Sequence, residues 1–319
     1  MTTYLISDFP DVLASRELQV EIDALQQQDT TAIVTQYAYQ NQAELLEKLE
    51  QTDILITAFL PIDAELLSQL TRLKGIAVNA TGTSTIDLKA AARHGITVQP
   101  LGDYSTEDVA NHTLGLILAL NQKLPAHTRQ INAHIWQYES VGTITRLGSQ
   151  TLAILGFGRI GQAVAKRAKA FGMTVIAVDP YLPEVVAQEQ GVSLVSLSEV
   201  FEKADIISLH LFAAADSPPL CDAAFFSQLK RQPLFINVAR GCLVDEAALV
   251  AALDSGKIRG AGLDVLQSES PELRNSPLLG RDNVILTPHA GFYSQESLAY
   301  LQLKTVENAV DIAKGAKHV

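Results

Sequence analysis

Cysteine is scarce: Cys221 and Cys242 are the only two among 319 residues. Two thiols so spaced make neither a disulfide framework nor a zinc site, and they suit a reducing cytoplasmic setting. Positive charge is also short, with 24 Lys and Arg against 35 Asp and Glu and a net charge of −11. A phosphate backbone is bound by clustered cations, so nucleic acid is excluded as the expected partner. Long apolar runs are missing; the densest, residues 114–120, falls far below the roughly 20 residues that span a bilayer. No basic segment precedes the first apolar stretch, and Asp8 and Asp11 interrupt it, so the N-terminus reads as mature sequence rather than a targeting signal. Neither internal repeats nor low-complexity tracts occur. A soluble, cytoplasmic protein with no membrane partner is the expectation.

What is present is ordinary globular material, 47% hydrophobic and 18% charged, long enough for two domains at about 150 residues each. Continuous aliphatic runs at residues 3–7, 32–35, 53–58, 75–80 and 96–99 each resemble a buried parallel strand. Between them, residues 44–49 and 64–70 carry leucines at helical spacing, and Asp63 is placed to cap the second. A helical stretch covers residues 106–120. Residues 123–147, which hold the lone Trp136, read as an irregular arm. A second series then begins, with six strands at residues 152–155, 174–178, 206–209, 234–238, 260–263 and 284–286. The alternation predicts an α/β fold of two doubly wound parallel sheets. The last helix, residues 295–313, is placed to return to the first sheet.

The second series opens on Gly156-Phe-Gly158-Arg159-Ile160-Gly161 between a strand and a helix. Gly156 permits the tight turn, Gly158 lets backbone approach a pyrophosphate, and Gly161 allows close helix–strand packing. The next strand ends in Asp179, at the distance where an acidic side chain accepts from a ribose diol. That carboxylate repels a 2′-phosphate, so NAD is the expected cofactor. Glycines that serve only turns and packing are the plainer reading, and the ordered strand, loop, helix and terminal Asp argue against it.

Three further pieces stand at strand ends, where open α/β sheets bind ligands. They are Asn237-Val238-Ala239-Arg240, Asp264 followed by Glu269, and Pro288-His289. Arginine offers planar bidentate donors to a carboxylate. A carboxylate beside an imidazole favours its protonated form, and such a histidine donates a proton to a developing alkoxide. With a nicotinamide, the reaction that suits this trio is hydride transfer to a 2-oxo acid. Singly, Arg240 fits a surface ion pair and His289 or Glu269 a structural or solvated residue; three strand ends beside a dinucleotide fold favour the chemical reading. His94, His112, His127 and His134 read as helix or arm surface, and no metal-type spacing links them.

These motifs together resemble the D-isomer-specific 2-hydroxyacid dehydrogenases over nearly the whole chain. The stretches at residues 79–87, 103–112 and 283–294 are similar to the C-terminal-binding-protein-like branch. The resemblance implies a flavodoxin-like catalytic domain from residues 1–100 plus 291–319, an inserted NAD-binding Rossmann domain at 101–290, and a homodimer. It makes Arg240 the substrate clamp, Glu269 the partner of the histidine and His289 the acid/base. Around NAD it implies Gly156, Gly158, Arg159, Ile160, Gly161, Asp179, His210, Leu211, Val238, Ala239, Arg240, Asp264, His289 and Gly291. Toward substrate it implies Ala80, Thr81 and Gly82, with Phe59 and Phe292 lining an apolar pocket. Trp136 reads as a packing or dimer contact. Phosphoglycerate-specific relatives carry arginines where this chain has Thr57-Ala-Phe59-Leu60-Pro61, so no phosphate clamp is expected. Two rivals remain: an NAD(H)-sensing binding protein with vestigial catalysis, and a hydroxypyruvate or glyoxylate reductase.

Overall fold

The computed structural model describes residues 1–83, 85–213 and 217–315. Ser84, inside one of the motifs above, and residues 316–319, at the end of the expected catalytic domain, lie outside the described residues. The chain forms two compact units, Met1–Tyr104 with the C-terminal segment from Ser294, and Ser105–Tyr293. These divisions fall a few residues beyond 100 and 290, at the start of a helix in each case.

The first unit holds β1 (Thr3–Asp8), β2 (Ile33–Ala38), β3 (Ile54–Thr57), β4 (Gly75–Val78) and β5 (Thr97–Pro100), all parallel in the order β2-β1-β3-β4-β5. Successive strand side chains point to opposite faces. Tyr4, Ile6, Ile54 and Ile56 therefore pack with Leu25, Val306 and Val310 on one side. Leu5, Leu55, Ile76 and Val78 pack with Leu45, Leu49, Leu66 and Leu67 on the other. The helix Gln295–Ala313 lies against the first face so closely that a Cβ on Gly75 would stand 2.3 Å from Ile312 Cγ2. Asp63 caps its helix, accepting from the Leu66 amide at 2.8 Å. The run at residues 32–35 is not a buried strand: β2 is an edge whose side chains are all exposed or half-buried, because it has one neighbour and an outer face left open.

The second unit holds seven parallel strands rather than six: β6 (Thr151–Leu155), β7 (Thr174–Val178), β8 (Ser193–Leu194), β9 (Ile206–Leu209), β10 (Leu234–Asn237), β11 (Gly260–Leu263) and β12 (Val284–Leu286). Their order is β12-β11-β10-β9-β6-β7-β8. Leu152 and Ile154 face the helices Thr106–Asn121 and Arg159–Ala170, while Ala153 and Leu155 face Phe225, Phe226 and Leu249. The added strand, β8, is two residues long at the edge, too short for periodicity to reveal. The arm is also more ordered than expected. Residues Leu124–Asn132 form a helix with Pro125 in its first turn and no buried side chain, so no apolar stripe announces it. Among the described residues, no helix is long and apolar enough to cross a membrane.

Candidate active site

The strand ends of the second unit lie side by side, because the sheet is parallel and in register. Leu155 pairs with Leu209 and Val178, and Asn237 with Leu209 and Leu263, which pairs with Leu286. The segments after β6, β9, β10, β11 and β12 therefore leave the sheet along one edge. The chain order reverses beside β6, the place where such sheets bind ligands.

After β6 the backbone turns at Gly156 with φ +92°, and a Cβ there would lie 2.6 Å from the His210 carbonyl oxygen after β9. Only glycine fits that approach. Gly161 packs on the same loop, where a Cβ would meet the Gly156 oxygen at 2.3 Å. Gly158 is the contrast, with no atom within 4 Å of the position a Cβ would take. It caps the helix Arg159–Ala170, whose first amides carry the positive end of the helix dipole. Asp179, just past β7, accepts from the Phe157 amide at 2.9 Å and the Tyr181 amide at 3.0 Å. A cavity of about 370 Å³ opens there, lined by Val178, Asp179, Pro180, Leu194, Val195 and Glu199. His210 Nε2 meets Ser208 Oγ at 2.9 Å, while its buried Nδ1 has no partner among the described residues. Burial holds this imidazole neutral, at about 3. An open cradle over a helix N-terminus, a carboxylate one strand away and an orphaned ring nitrogen together fit a bound dinucleotide.

On the other side of β6, Asn237 is buried and stitches the next turn. Its Oδ1 accepts from the Ala239 amide at 3.0 Å, and its Nδ2 donates to the Arg240 carbonyl at 3.0 Å. Arg240 Nη1 donates to the Ala239 carbonyl at 2.6 Å. Ala239 and Val238 are themselves nearly buried, and Ala239 already uses both backbone groups within the turn. The segment after β11 is held against this turn: a Cβ on Gly241 would lie 1.8 Å from the Leu266 oxygen, and Glu246 accepts from the Gln267 amide at 2.5 Å. Glu269 is thereby brought to His289, whose Nδ1 stands 2.9 Å from Glu269 Oε2. The imidazole holds the Glu269 carboxyl below its usual range, with the Arg240 guanidinium adding to the effect. Phe292 stands edge-on to His289, ring centroids 6.3 Å apart.

His289 itself occupies the left-handed region, φ +52°, unusual for a residue with a Cβ. Asp264 holds it there. Its carbonyl accepts from the His289 amide at 2.7 Å; its Oδ1 accepts from Thr287 Oγ1 at 2.6 Å and the Ala290 amide at 2.8 Å; its Oδ2 accepts from the Gly291 amide at 2.9 Å. Burial pushes this carboxyl up, but donors from His112, Thr287, Ala290 and Gly291 overcome it and hold the group at about 2. A Cβ on Gly291 would stand 2.9 Å from Asp264 Oδ2, so the small residue lets the loop close on the carboxylate.

Asp264 thus builds the histidine turn, beyond the cofactor contact the resemblance implied. His112 is a correction: it is not surface, for its side chain is 22% exposed and its Nε2 lies 3.0 Å from Thr287 Oγ1. A histidine on an amphipathic helix gives no sign of this, because its partners come from strands far along the chain. Ala80, Thr81, Gly82 and Phe59 belong to the first unit. There the Ala80 carbonyl accepts from the Leu101 amide at 3.0 Å, Thr81 Oγ1 reaches the Gly102 carbonyl at 3.4 Å, and Phe59 is 51% exposed. Among the described residues, no group of three His, Cys, Asp or Glu is placed to hold a metal ion.

Fold and site together define a dinucleotide-binding α/β protein with a paired Glu and His and a neighbouring Arg at its strand ends. Residues 114–291 match the family described as D-isomer specific 2-hydroxyacid dehydrogenase, NAD binding domain, and the chain belongs to that family. It is 39% identical over 256 residues to D-3-phosphoglycerate dehydrogenase of Methanocaldococcus jannaschii, covering 80% of this chain and 48% of that one. It therefore spans about half the length of that relative. It is 36% identical over 279 residues to glycerate dehydrogenase of Methylorubrum extorquens, covering 85% and 86% of the two chains. In structure it resembles D-lactate dehydrogenase from Aquifex aeolicus complexed with NAD and lactic acid, with a TM-score of 0.85, 29% identity, and 98% and 96% coverage.

Proposed function

We propose that the protein is an NAD(H)-dependent oxidoreductase interconverting a 2-oxo acid and a D-2-hydroxy acid. The observation that carries this is the 2.9 Å pair between His289 Nδ1 and Glu269 at the strand end beside Arg240. Hydride transfer to or from C2 is the chemistry a bound nicotinamide supplies. Arg240 offers planar donors to the carboxylate and carbonyl of the substrate. With Nδ1 committed to Glu269, His289 presents Nε2, which delivers a proton to the carbonyl oxygen in reduction and takes it back in oxidation. Gly156, Gly158, Arg159, Ile160 and Gly161 form the pyrophosphate loop, with Asp179 on the ribose and His210, Leu211, Val238, Ala239, Asp264 and Gly291 around the remainder. Asp179 supports NAD over its 2′-phosphorylated form. Phe292 beside His289 favours a small or apolar substituent on C2. In the first unit, Ala80, Thr81, Gly82 and Phe59 are the substrate-side candidates carried over from the family.

A cytoplasmic homodimer belongs to the same proposal. The low cysteine content supports the location, and exposed Leu124, Ile131, Trp136 and Tyr138 on the arm support a second copy as the covering surface. The reading is tested by NADH oxidation with a panel of 2-oxo acids that includes pyruvate, glyoxylate, hydroxypyruvate and branched or aromatic members. Turnover giving the D-hydroxy acid is expected, and preference for glyoxylate or hydroxypyruvate would narrow the substrate to those. Negligible turnover across the panel, with NADH-dependent binding of a peptide partner, would replace it with the binding-protein reading, against which the intact Glu269–His289 pair weighs.

A further inference from the structure

The structure assigns a second histidine, His112, the part of a positioning residue for His289, acting through Thr287 and Asp264. This rests on the function proposed above. His112 lies in the helix Thr106–Asn121, which packs across β10, β11 and β12. Its Nε2 is 3.0 Å from Thr287 Oγ1 and 3.4 Å from Asp264 Oδ1. A hydroxyl has one hydrogen and two lone pairs. The Thr287 hydrogen goes to Asp264 Oδ1 at 2.6 Å, because that carboxylate, ionised at neutral pH, has none to give. The Thr287 oxygen is then an acceptor toward His112, so His112 carries hydrogen on Nε2. The result is one directed chain: His112 N–H to Thr287 O–H to Asp264, which in turn receives the amides of Ala290 and Gly291.

The chain has a geometric purpose. The turn it fixes holds His289 at φ +52°, a conformation that persists only where its surroundings impose it. Thr287 precedes the turn, Ala290 and Gly291 follow it, and Asp264 binds all three. His112 fixes the rotor of Thr287 and adds a donor facing the carboxylate. Without it, the hydroxyl is free to turn away from Asp264, and the loop that aims the imidazole loses one of its side-chain anchors.

Nitrogen-15 spectra of the imidazoles test the premise without reference to turnover. A hydrogen on Nε2 is expected for His112, and a bare Nε2, with the ring hydrogen on Nδ1 alone, would overturn the proposal. Variants test the consequence. His112→Leu and Thr287→Val should each lower kcat about ten- to a hundredfold by misplacing the acid/base, with little change in the KM for NADH. His112→Gln, whose amide nitrogen replaces Nε2, should restore kcat to within about threefold of wild type. The double variant should be no worse than the poorer single one, since both cut one chain. Additive losses, or a His112→Leu enzyme within about twofold of wild type, would refute the coupling. If no 2-oxo acid turns over, the dehydrogenase reading fails. The tautomer, and the movement of the His289 resonances in His112→Leu but not in His112→Gln, still decide whether His112 positions the turn.

Discussion

Two buried aspartates stand at strand ends in the two units, do similar work, and are shifted in opposite directions. Asp8 ends β1 and accepts from the amides of Ala58 at 2.5 Å, Phe9 at 3.1 Å and Phe59 at 3.3 Å. Asp264 follows β11 and gathers the turn after β12. Burial raises Asp8, and the lowering effects of those amides and of Arg16, 4.0 Å away, do not cancel it. Asp264 is held at about 2 because the Thr287 hydroxyl at 2.6 Å and the His112 imidazole join its amides, whereas the Thr57 hydroxyl stands 3.4 Å from Asp8. The comparison teaches that backbone donors fix both loops, while close side-chain donors are what lower a buried carboxyl against the cost of burial. Asp264, the lowered one, holds the turn of the histidine proposed to move the proton.

The largest break in this comparison should come from Asp264→Asn. Its amide nitrogen must face a donor, either Gly291 N–H or the Thr287 and Ala290 pair. A loss of roughly 3 kcal/mol in chemical denaturation is expected, with a fall in kcat of about a hundredfold; wild-type kcat in that variant would remove Asp264 from the account. The acid limb of stability sharpens the point. A carboxyl lowered from ~3.9 in the unfolded chain to about 2 in the fold contributes stability that is full above the unfolded value and lost as pH falls between them, on the order of 2 kcal/mol. Urea titrations from pH 4 to pH 2 should show this loss in wild type and lose it in Asp264→Asn. Asp8 has the opposite sign: raised in the fold, it favours the folded chain below the unfolded value and loses that contribution as pH rises through the folded one. Asp8→Asn should therefore cost only about 1 kcal/mol near neutrality. Its effect on kinetics should fall on the KM for the oxo acid, through the loop that carries Phe59, and leave the KM for NADH unchanged.

Much of this was legible in the sequence because it rests on local pattern. Buried parallel strands are continuous aliphatic runs, so most of both sheets and the helix Gln295–Ala313 could be placed from residues alone. Gly156 and Gly161 were readable because a tight turn and a close approach each demand a residue without a Cβ. The rest depends on partners distant in the chain. Whether residues 33–38 are covered is decided by sheet order, which no run of side chains reveals. His112 and Thr287 are ordinary residues until the fold sets them 3.0 Å apart. Asp8 and Asp264 look alike in sequence, and only the donors around them set their shifts in opposite directions.

The central claim is that His289, paired with Glu269, moves the proton in a 2-oxo acid reduction. The most direct measurement is NADH oxidation by wild type and His289→Ala with the best acid of the panel, alongside NADH affinity by fluorescence. The account predicts turnover in wild type, a fall of at least ~100-fold in the variant, and a far smaller change in NADH affinity. Equal turnover by the two proteins would contradict it.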